Sequence, residues 1–283
     1  MTRPALALAT AFALVAFAAN SVLCRLALGG HAVDAASFTS VRIASGALVL
    51  FVLARSAGRS TAQAGPSKHS GWRAACALFA YAACFSFAYG SLTTAMGALI
   101  LFGSVQVTML VVALGNGERL SPTAWLGFGV AAAGLVVLVF PGLSAPSPVG
   151  ALLMGIAGSA WGAYTLLGRG SRAPIADTAR NFLLATPLAA LVSAFSLRHV
   201  AVTPTGIVLA MASGAITSGL GYALWYAALS SLSASRAAVL QLLVPMLAAL
   251  GGVVFVSEVL SWRLALASCM ILGGVGLVIT RRG

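Results

Sequence analysis

Three amide side chains stand inside otherwise apolar stretches of this chain, at Asn20, Gln106 and Gln241. Each amide offers two hydrogen-bond donors and one acceptor oxygen, a combination that suits the carboxylate and ammonium groups of a small zwitterion. A polar side chain within hydrocarbon is costly, and it usually faces a cavity or a partner helix. We therefore expect these amides to bind a substrate; the alternative is that each forms an interhelical hydrogen bond.

Aromatic side chains in the middle of the apolar stretches form a second group of candidates. An aromatic wall with a few amides suits an amphipathic solute that has an apolar side chain. Core packing is the alternative for each ring taken singly. The selected rings are Tyr81, Phe85, Trp161, Tyr164, Tyr222 and Trp225. Mid-helix serines and threonines are not selected, because their hydroxyls can bond to carbonyls of their own helix.

Acidic residues and histidines are absent from the middle of the apolar stretches. The four acids and three histidines of the chain are Asp34, Glu118, Asp177, Glu258, His31, His69 and His199. No nucleophile–base pair and no metal-ligating cluster is predicted at membrane depth, so we expect no catalytic residue, no metal and no cofactor. A proton-driven pump usually carries an intramembrane acid or histidine. The sequence therefore favours facilitated transport over tight proton coupling.

The composition places these candidates in a membrane. Hydrophobic residues make up 60% of the 283 residues, charged residues make up 7%, and the mean hydropathy is +1.04. A soluble globular protein carries roughly 25% charged residues. The net charge of +12 does not indicate nucleic-acid binding, because the basic residues punctuate apolar stretches instead of clustering on one polar face. The sequence thus predicts an integral membrane protein whose surroundings are a lipid bilayer.

Apolar runs and the breaks between them predict an all-α protein with ten transmembrane helices. The predicted spans are residues 5–28, 35–54, 72–89, 94–114, 122–140, 148–168, 178–197, 205–229, 234–256 and 261–280. With the N-terminus in the cytoplasm, twelve of the sixteen Lys and Arg residues fall on the cytoplasmic side, in agreement with the positive-inside rule. Both termini are then cytoplasmic, in the plasma (inner) membrane. A cleavable signal peptide ending near residue 20 is the alternative for the first span.

The chain contains a weak internal repeat. A displacement of 140 residues aligns Glu118–Ser121 (Glu-Arg-Leu-Ser) with Glu258–Ser261 (Glu-Val-Leu-Ser). This divides the chain into repeats 1–142 and 143–283, each with five predicted helices. Because five is odd, the two repeats must enter the membrane in opposite orientations. Inverted repeats of this kind are typical of secondary transporters, whose substrate site lies near the bilayer midplane between the halves.

A further group of residues is predicted to have structural or hinge roles. Gly158 and Gly162 are four residues apart, a spacing that permits close helix crossing. Pro187 and Pro245 remove a backbone donor inside predicted helices 7 and 9, so each is a candidate kink. Arg42 is a cation well inside a span. Its expected partners are backbone carbonyls or a loop acid, and a substrate carboxylate is the alternative.

These residues resemble those of a known group of transporters. The sequence is similar to the drug/metabolite transporter superfamily, specifically the EamA-type exporters, in Arg42 early in helix 2 and in Pro245, thirteen residues before Glu258. The small-residue-rich last helix of each half agrees with the same pattern. Val105 departs from it, since the family often has proline at that position. The aromatic residues of helices 3, 6 and 8 resemble those of the YddG-type amino-acid exporters.

The resemblance implies ten helices in two five-helix repeats and a transporter rather than an enzyme. We expect export of amino acids, preferably with aromatic or other apolar side chains, and of related small metabolites, by alternating access. The alternatives are a broad exporter of amphipathic drugs or cations and, less favoured, a membrane-embedded enzyme. Small molecules and lipid are the expected partners, and a monomer is sufficient for this mechanism.

Overall fold

The computed structural model describes residues 3–56, 71–117, 121–140, 146–169, 171, 173–229, 232 and 240–280. Over these residues the chain forms ten long helices, one short 3-10 helix (Leu197–His199) and no β-strand. The helices are α1 (Arg3–Cys24, extended by Arg25–Gly29), α2 (Ala35–Ser56), α3 (Trp72–Tyr89), α4 (Thr94–Gly115), α5 (Pro122–Val139), α6 (Pro148–Gly168), α7 (Pro174–Phe195), α8 (Pro204–Ala212, Ser213–Leu220 and Gly221–Leu229, continuous), α9 (Leu243–Val256) and α10 (Trp262–Thr280).

The helix positions agree with the predicted spans, and the all-helical fold class is confirmed. Helix α7 begins earlier than the expected residue 178, at Pro174, because proline at the first helical position and Asp177 in the first turn both favour a helix start there. The expected start of the ninth span, residues 234–239, lies outside the described residues. By length and composition six of the described helices can cross a membrane, and three more are shorter apolar helices.

Capping side chains set the starts of several helices. The side chains of Thr93, Ser121, Ser147 and Thr203 each accept a hydrogen bond from a backbone N–H in the first turn of the following helix. In three of these helices, α5, α6 and α8, a proline follows the capping residue directly. Its missing N–H belongs to the groups that have no partner at a helix start anyway.

Two helices contain π-helical segments. Arg25–Gly29 ends α1, and Ser213–Leu220 lies in the middle of α8. A π-helix changes the angular spacing of successive side chains and often occurs at functional sites. In α8 this segment directs Ser213, Thr217 and Ser218 toward α1 and α2, where they make the hydrogen bonds described below.

The helices pack as a bundle in which sequence neighbours are often not spatial neighbours. Helix α5 packs along α10, and α2 packs along α7. Helix α6 contacts both α3 and α4, whereas α1 contacts both α8 and α9, and α4 also contacts α9. The long-range pairs therefore join the first five helices to the last five.

The crossing of α6 over α4 depends on glycine. A Cβ atom built on Gly158 would overlap the Leu101 carbonyl oxygen and would lie 2.7 Å from Ser104 Cβ. A Cβ on Gly162 would lie 3.0 Å from Thr108 Cβ. The two helix backbones thus approach too closely at Gly158 for any side chain.

Replacing Gly158 by alanine is expected to destabilise the protein by about 1–3 kcal/mol, because the new methyl group meets backbone that cannot move independently. Gly129→Ala on α5 is the matched control, since a Cβ atom added there meets nothing within 4 Å. Thermal unfolding of both purified variants in detergent measures the effect. Equal melting temperatures for the two variants would contradict the close-approach argument.

The α1–α2 and α7–α8 connections meet at one end of the bundle, here called the α1–α2 end. Thr203 N donates to Ala32 O at 2.9 Å, which joins the two connections. Asp34 caps α2 by accepting from Ser37 N at 2.9 Å, and it also accepts from Ala201 N at 3.2 Å. Partial burial acts to raise the pKa of the Asp34 carboxyl, but these hydrogen bonds outweigh it and lower the pKa. The stabilisation is therefore present at neutral pH and is lost as the pH falls through the lowered pKa.

Candidate substrate-binding site

A small cavity lies inside the bundle between α1, α3, α4, α6 and α8. Its volume is about 20 Å³, which is room for roughly one water molecule. The lining residues are Phe17, Asn20, Ser21, Tyr81, Phe85, Leu101, Phe102, Trp161, Thr217 and Tyr222. Because both the first five helices and the last five contribute, any change in their relative packing changes the size of the cavity. A solute larger than water fits only if the cavity opens.

Trp161 is the centre of the aromatic wall. Its ring centroid lies 4.9 Å from that of Tyr81 and 4.9 Å from that of Tyr222, with both rings tilted against it. Phe17 meets it edge-on at 6.3 Å. These rings come from α1, α3, α6 and α8, so an indole at this position joins four helices. The resulting surface is apolar and polarisable, and it suits stacking with a flat apolar group.

A polar cluster centred on Asn20 adjoins the aromatic wall. The Oδ1 atom of Asn20 accepts hydrogen bonds from Ser213 Oγ at 2.6 Å and from Thr217 Oγ1 at 3.0 Å. Its Nδ2 atom lies 3.5 Å from the Tyr81 hydroxyl, at the limit of a hydrogen bond. The acceptor side of the amide is therefore fully used, whereas its donor side is engaged only weakly.

Arg42 lies against the same cluster and is 2% exposed. Its Nη2 donates to the Tyr81 hydroxyl at 2.9 Å, and its Nε donates to Ser218 Oγ at 3.2 Å. The guanidinium carbon lies 5.2 Å from the Tyr81 ring centroid and 5.0 Å from that of Phe85, which are cation–π distances. Among the described residues, Arg42 therefore contacts hydroxyl groups and aromatic rings. The backbone carbonyls or loop acid expected from the sequence are not its partners there. The third nitrogen, Nη1, is buried and has no hydrogen-bond partner there.

The structure brings together five of the nine predicted binding residues. Asn20, Tyr81, Phe85, Trp161 and Tyr222 line the cavity. The substrate-binding role itself stays a prediction for all nine.

Two more of the predicted rings form a second layer behind the lining. Tyr164 packs against Trp161 at 5.6 Å and receives a hydrogen bond from Asn181 Nδ2 at 3.4 Å. Trp225 packs against Phe17 at 5.7 Å.

The two glutamines do not line the cavity. Gln106 is one helical turn beyond Phe102 on α4, and its Nε2 is buried without a hydrogen-bond partner among the described residues. Gln241 is buried next to the start of α9. Gln106 shares a helix face with Phe102 but lies one turn further along α4 than the lining residues, and α9, which begins just after Gln241, contributes no residue to the lining.

The prolines differ in their surroundings. Pro187 lies inside α7 with its ring exposed on the outer surface of the bundle, and the helix continues through it. Near Pro245 the α-helical pattern is interrupted at Leu242, as expected from the clash of a proline ring with the preceding turn. Pro245 itself is buried.

Sequence reasoning missed half of the lining: Phe17, Ser21, Leu101, Phe102 and Thr217. Phe17 lies one turn before Asn20 and Ser21, so a search for apolar residues on the same helix face as the amide finds it. Ser213 and Thr217 are four residues apart and share a face. Leu101 and Phe102 carry no signal that distinguishes them from other apolar residues of α4.

A second polar site closes the α1–α2 end of the bundle. Glu258 accepts from the backbone N–H of Thr94, the first residue of α4, at 3.0 Å and 2.9 Å through its two oxygens. Arg25 Nε donates to the same carboxylate at 3.2 Å, and its Nη1 donates to Tyr89 O at 3.3 Å. We call Arg25, Glu258 and Thr94 the latch. It joins α1, α4 and the α9–α10 connection.

These features define a class of protein: a multi-pass helical membrane protein whose two halves enclose an aromatic and polar cavity. Residues 148–280 match the EamA-like transporter family. Over 275 residues the chain is 50% identical to the uncharacterized protein PA1977 of Pseudomonas aeruginosa, covering 97% of this chain and 94% of that one. A protein of known crystal structure, 22% identical, has the same fold with a TM-score of 0.63 over 95% of this chain and 97% of its own.

The chain belongs to the EamA-like transporter family, within the drug/metabolite transporter superfamily. The resemblance drawn from Arg42, Pro245 and Glu258 is thereby confirmed at the level of the family. Members of this family are membrane transporters and not enzymes.

Proposed function

We propose that this protein exports amino acids with aromatic or other apolar side chains, and related small metabolites, by alternating access. The observation that carries the proposal is the cavity, in which stacked rings around Trp161 adjoin the amide, hydroxyl and guanidinium groups of Asn20, Thr217 and Arg42. An amino acid of this kind presents one apolar and one polar end. The two parts of the site match those two ends.

The helix contacts support the proposed inverted repeats, 1–142 and 143–283. If each helix is exchanged with the one five positions along the chain, the pair α3–α6 becomes α8–α1, and α4–α6 becomes α9–α1. The pairs α2–α7, α4–α9 and α5–α10 each become themselves. A bundle with such exchangeable contacts has two nearly equivalent packings, which alternating access requires.

The proposed transport is facilitated rather than tightly coupled to protons. Among the described residues, the cavity lining contains no aspartate, glutamate or histidine. Proton-coupled carriers usually place such a group on the pathway. Strict dependence of substrate accumulation on an imposed pH gradient in vesicles would overturn this part of the proposal.

The proposed location is the inner (plasma) membrane, with ten spans and both termini in the cytoplasm. The charge distribution supports this orientation, because twelve of the sixteen basic residues then face the cytoplasm. The α1–α2 end, with the latch, is then the outer end. Accessibility labelling of the two termini on opposite sides of the membrane would contradict this topology.

Counterflow with a panel of labelled amino acids tests the proposed function. Vesicles that contain only this protein, loaded with unlabelled phenylalanine, are expected to accumulate labelled phenylalanine, tryptophan and leucine transiently, and glutamate and lysine far less. Protein-free vesicles are the control. Transport of amphipathic cations without any amino acid would favour a broad drug exporter instead, and no flux of either kind would refute the transporter assignment of the site.

A further inference from the structure

Arg42 is a buried cation whose charge is not balanced by a carboxylate among the described residues. Asp34 bonds to Ser37 and Ala201, Asp177 accepts from Ser171, and Glu258 belongs to the latch. An arginine side chain stays protonated even when buried. Its hydroxyl partners and the two ring faces compensate only part of the lost hydration, because these groups are neutral and Nη1 makes no hydrogen bond among the described residues.

The unused hydrogen-bonding capacity around the cavity lies on donors. Arg42 Nη1 has no partner among the described residues. Asn20 Nδ2 has only the Tyr81 hydroxyl at 3.5 Å, whereas its Oδ1 accepts two short hydrogen bonds. A site with spare donors and a positive charge is suited to a ligand that supplies acceptor oxygens and a negative charge.

We propose that Arg42 is the anchor for the carboxylate of the transported solute, with Nη1 donating to it. The inference rests on the proposed function and deepens it: the cargo must carry a carboxylate, while an ammonium group is secondary. The guanidinium already stacks on Tyr81 and Phe85, two residues of the cavity lining, so an anion bound to it lies next to the aromatic wall. The same positive charge repels amphipathic cations.

Three probes that share one ring separate the carboxylate from the ammonium group: phenylalanine, 3-phenylpropionate, which lacks the amine, and phenylalaninamide, which lacks the carboxylate. Phenylalanine and 3-phenylpropionate are expected to raise the melting temperature of the purified full chain in detergent, and phenylalaninamide is not. In counterflow, phenylalaninamide is expected to compete with labelled phenylalanine at least about tenfold more weakly than phenylalanine does. Equal competition by phenylalaninamide and phenylalanine would overturn the proposal.

Substitution of Arg42 tests the anchor directly. Arg42→Gln is expected to weaken stabilisation and competition by phenylalanine and 3-phenylpropionate about tenfold, and Arg42→Lys is expected to retain part of it. Arg55→Gln is the matched control on the same helix, because the Arg55 guanidinium also stacks on a ring, that of Phe51 at 4.8 Å, but is exposed. An Arg42→Gln variant that folds and keeps the wild-type preference for carboxylates would refute the anchor.

The outcomes distinguish this inference from the proposed function. If no amino acid shows counterflow but 3-phenylpropionate stabilises the wild-type protein and phenylalaninamide does not, amino-acid export fails and the carboxylate anchor stands. If none of the three probes changes the melting temperature, the anchor fails. If Arg42→Gln does not fold, the comparison of the three probes on the wild-type protein decides.

Discussion

Alanine in place of Trp161 is expected to lower the transport of aromatic amino acids at least about tenfold. The indole lies 4.9 Å from the rings of Tyr81 and Tyr222, and each aromatic pair contributes about 0.5–1.5 kcal/mol beyond simple burial. On the proposed function, a substrate ring that stacks on the indole loses one aromatic pair and the apolar surface that buries it, together about 1.4 kcal/mol or more, which corresponds to tenfold. Initial counterflow rates with labelled phenylalanine measure the loss.

Removal of a buried indole also destabilises the fold, by about 3–5 kcal/mol, so transport must be normalised to folded protein. Trp161→Phe keeps a ring at the position, is expected to fold, and should transport at an intermediate rate. Trp125→Ala is the control for the loss of a tryptophan, because Trp125 is 51% exposed near the start of α5. Wild-type counterflow by both folded Trp161 variants would show that the ring serves core packing alone.

Alanine in place of Glu258 is expected to lower the free energy of unfolding by about 2–4 kcal/mol. The carboxylate, with its side chain 10% exposed, accepts two hydrogen bonds from the first N–H of α4 and pairs with Arg25. Without it, the start of α4 loses its anionic partner and the partly buried guanidinium loses its counter-charge, both of which destabilise. Unfolding in mixed detergent micelles measures the free-energy change.

The contributions of the two latch contacts, Glu258 with Thr94 and Glu258 with Arg25, can be measured separately. Glu258→Gln keeps an acceptor oxygen for Thr94 N but removes the charge, so it is expected to fall between the wild type and Glu258→Ala. A double-mutant cycle with Arg25→Ala gives the pairwise energy with Arg25. Val259→Ala controls for disturbance of the connection, because Val259 is exposed. A Glu258→Ala variant as stable as this control would show that the latch contributes nothing to the fold.

The positions of the helices are a local property, and the sequence determined them well. A run of about 20 apolar residues forms a helix in hydrocarbon because every backbone group must find its partner within the segment. Capping residues followed by proline, as at Ser121 and Ser147, then fix the starts. The start predicted for α7, residue 178, was too late. Pro174 at the first helical position and Asp177 in the first turn are signals for an earlier start, and the prediction did not use them.

Only some of the residues of the candidate site could be predicted from the sequence. Amides and mid-helix rings are conspicuous in an apolar sequence, so Asn20, Tyr81 and Trp161 could be selected. Gln106 and Gln241 are equally conspicuous, yet neither lines the cavity. Phe17, on the other hand, stands in an Ala- and Leu-rich stretch and carries no polar signal of its own.

The sequence by itself determined that this is a helical membrane protein of the EamA type, because hydrophobicity, helix caps and family motifs are properties of local sequence. Only the tertiary structure decided which helix faces meet. In a soluble protein the polar face of a helix identifies the face that points outward, but in a bilayer the lipid is as apolar as the core, and both faces look alike in sequence. The π-helical turn of α8, the partners of Arg42 and the contact of Glu258 with α4 depend on that choice of faces, so they follow from packing alone.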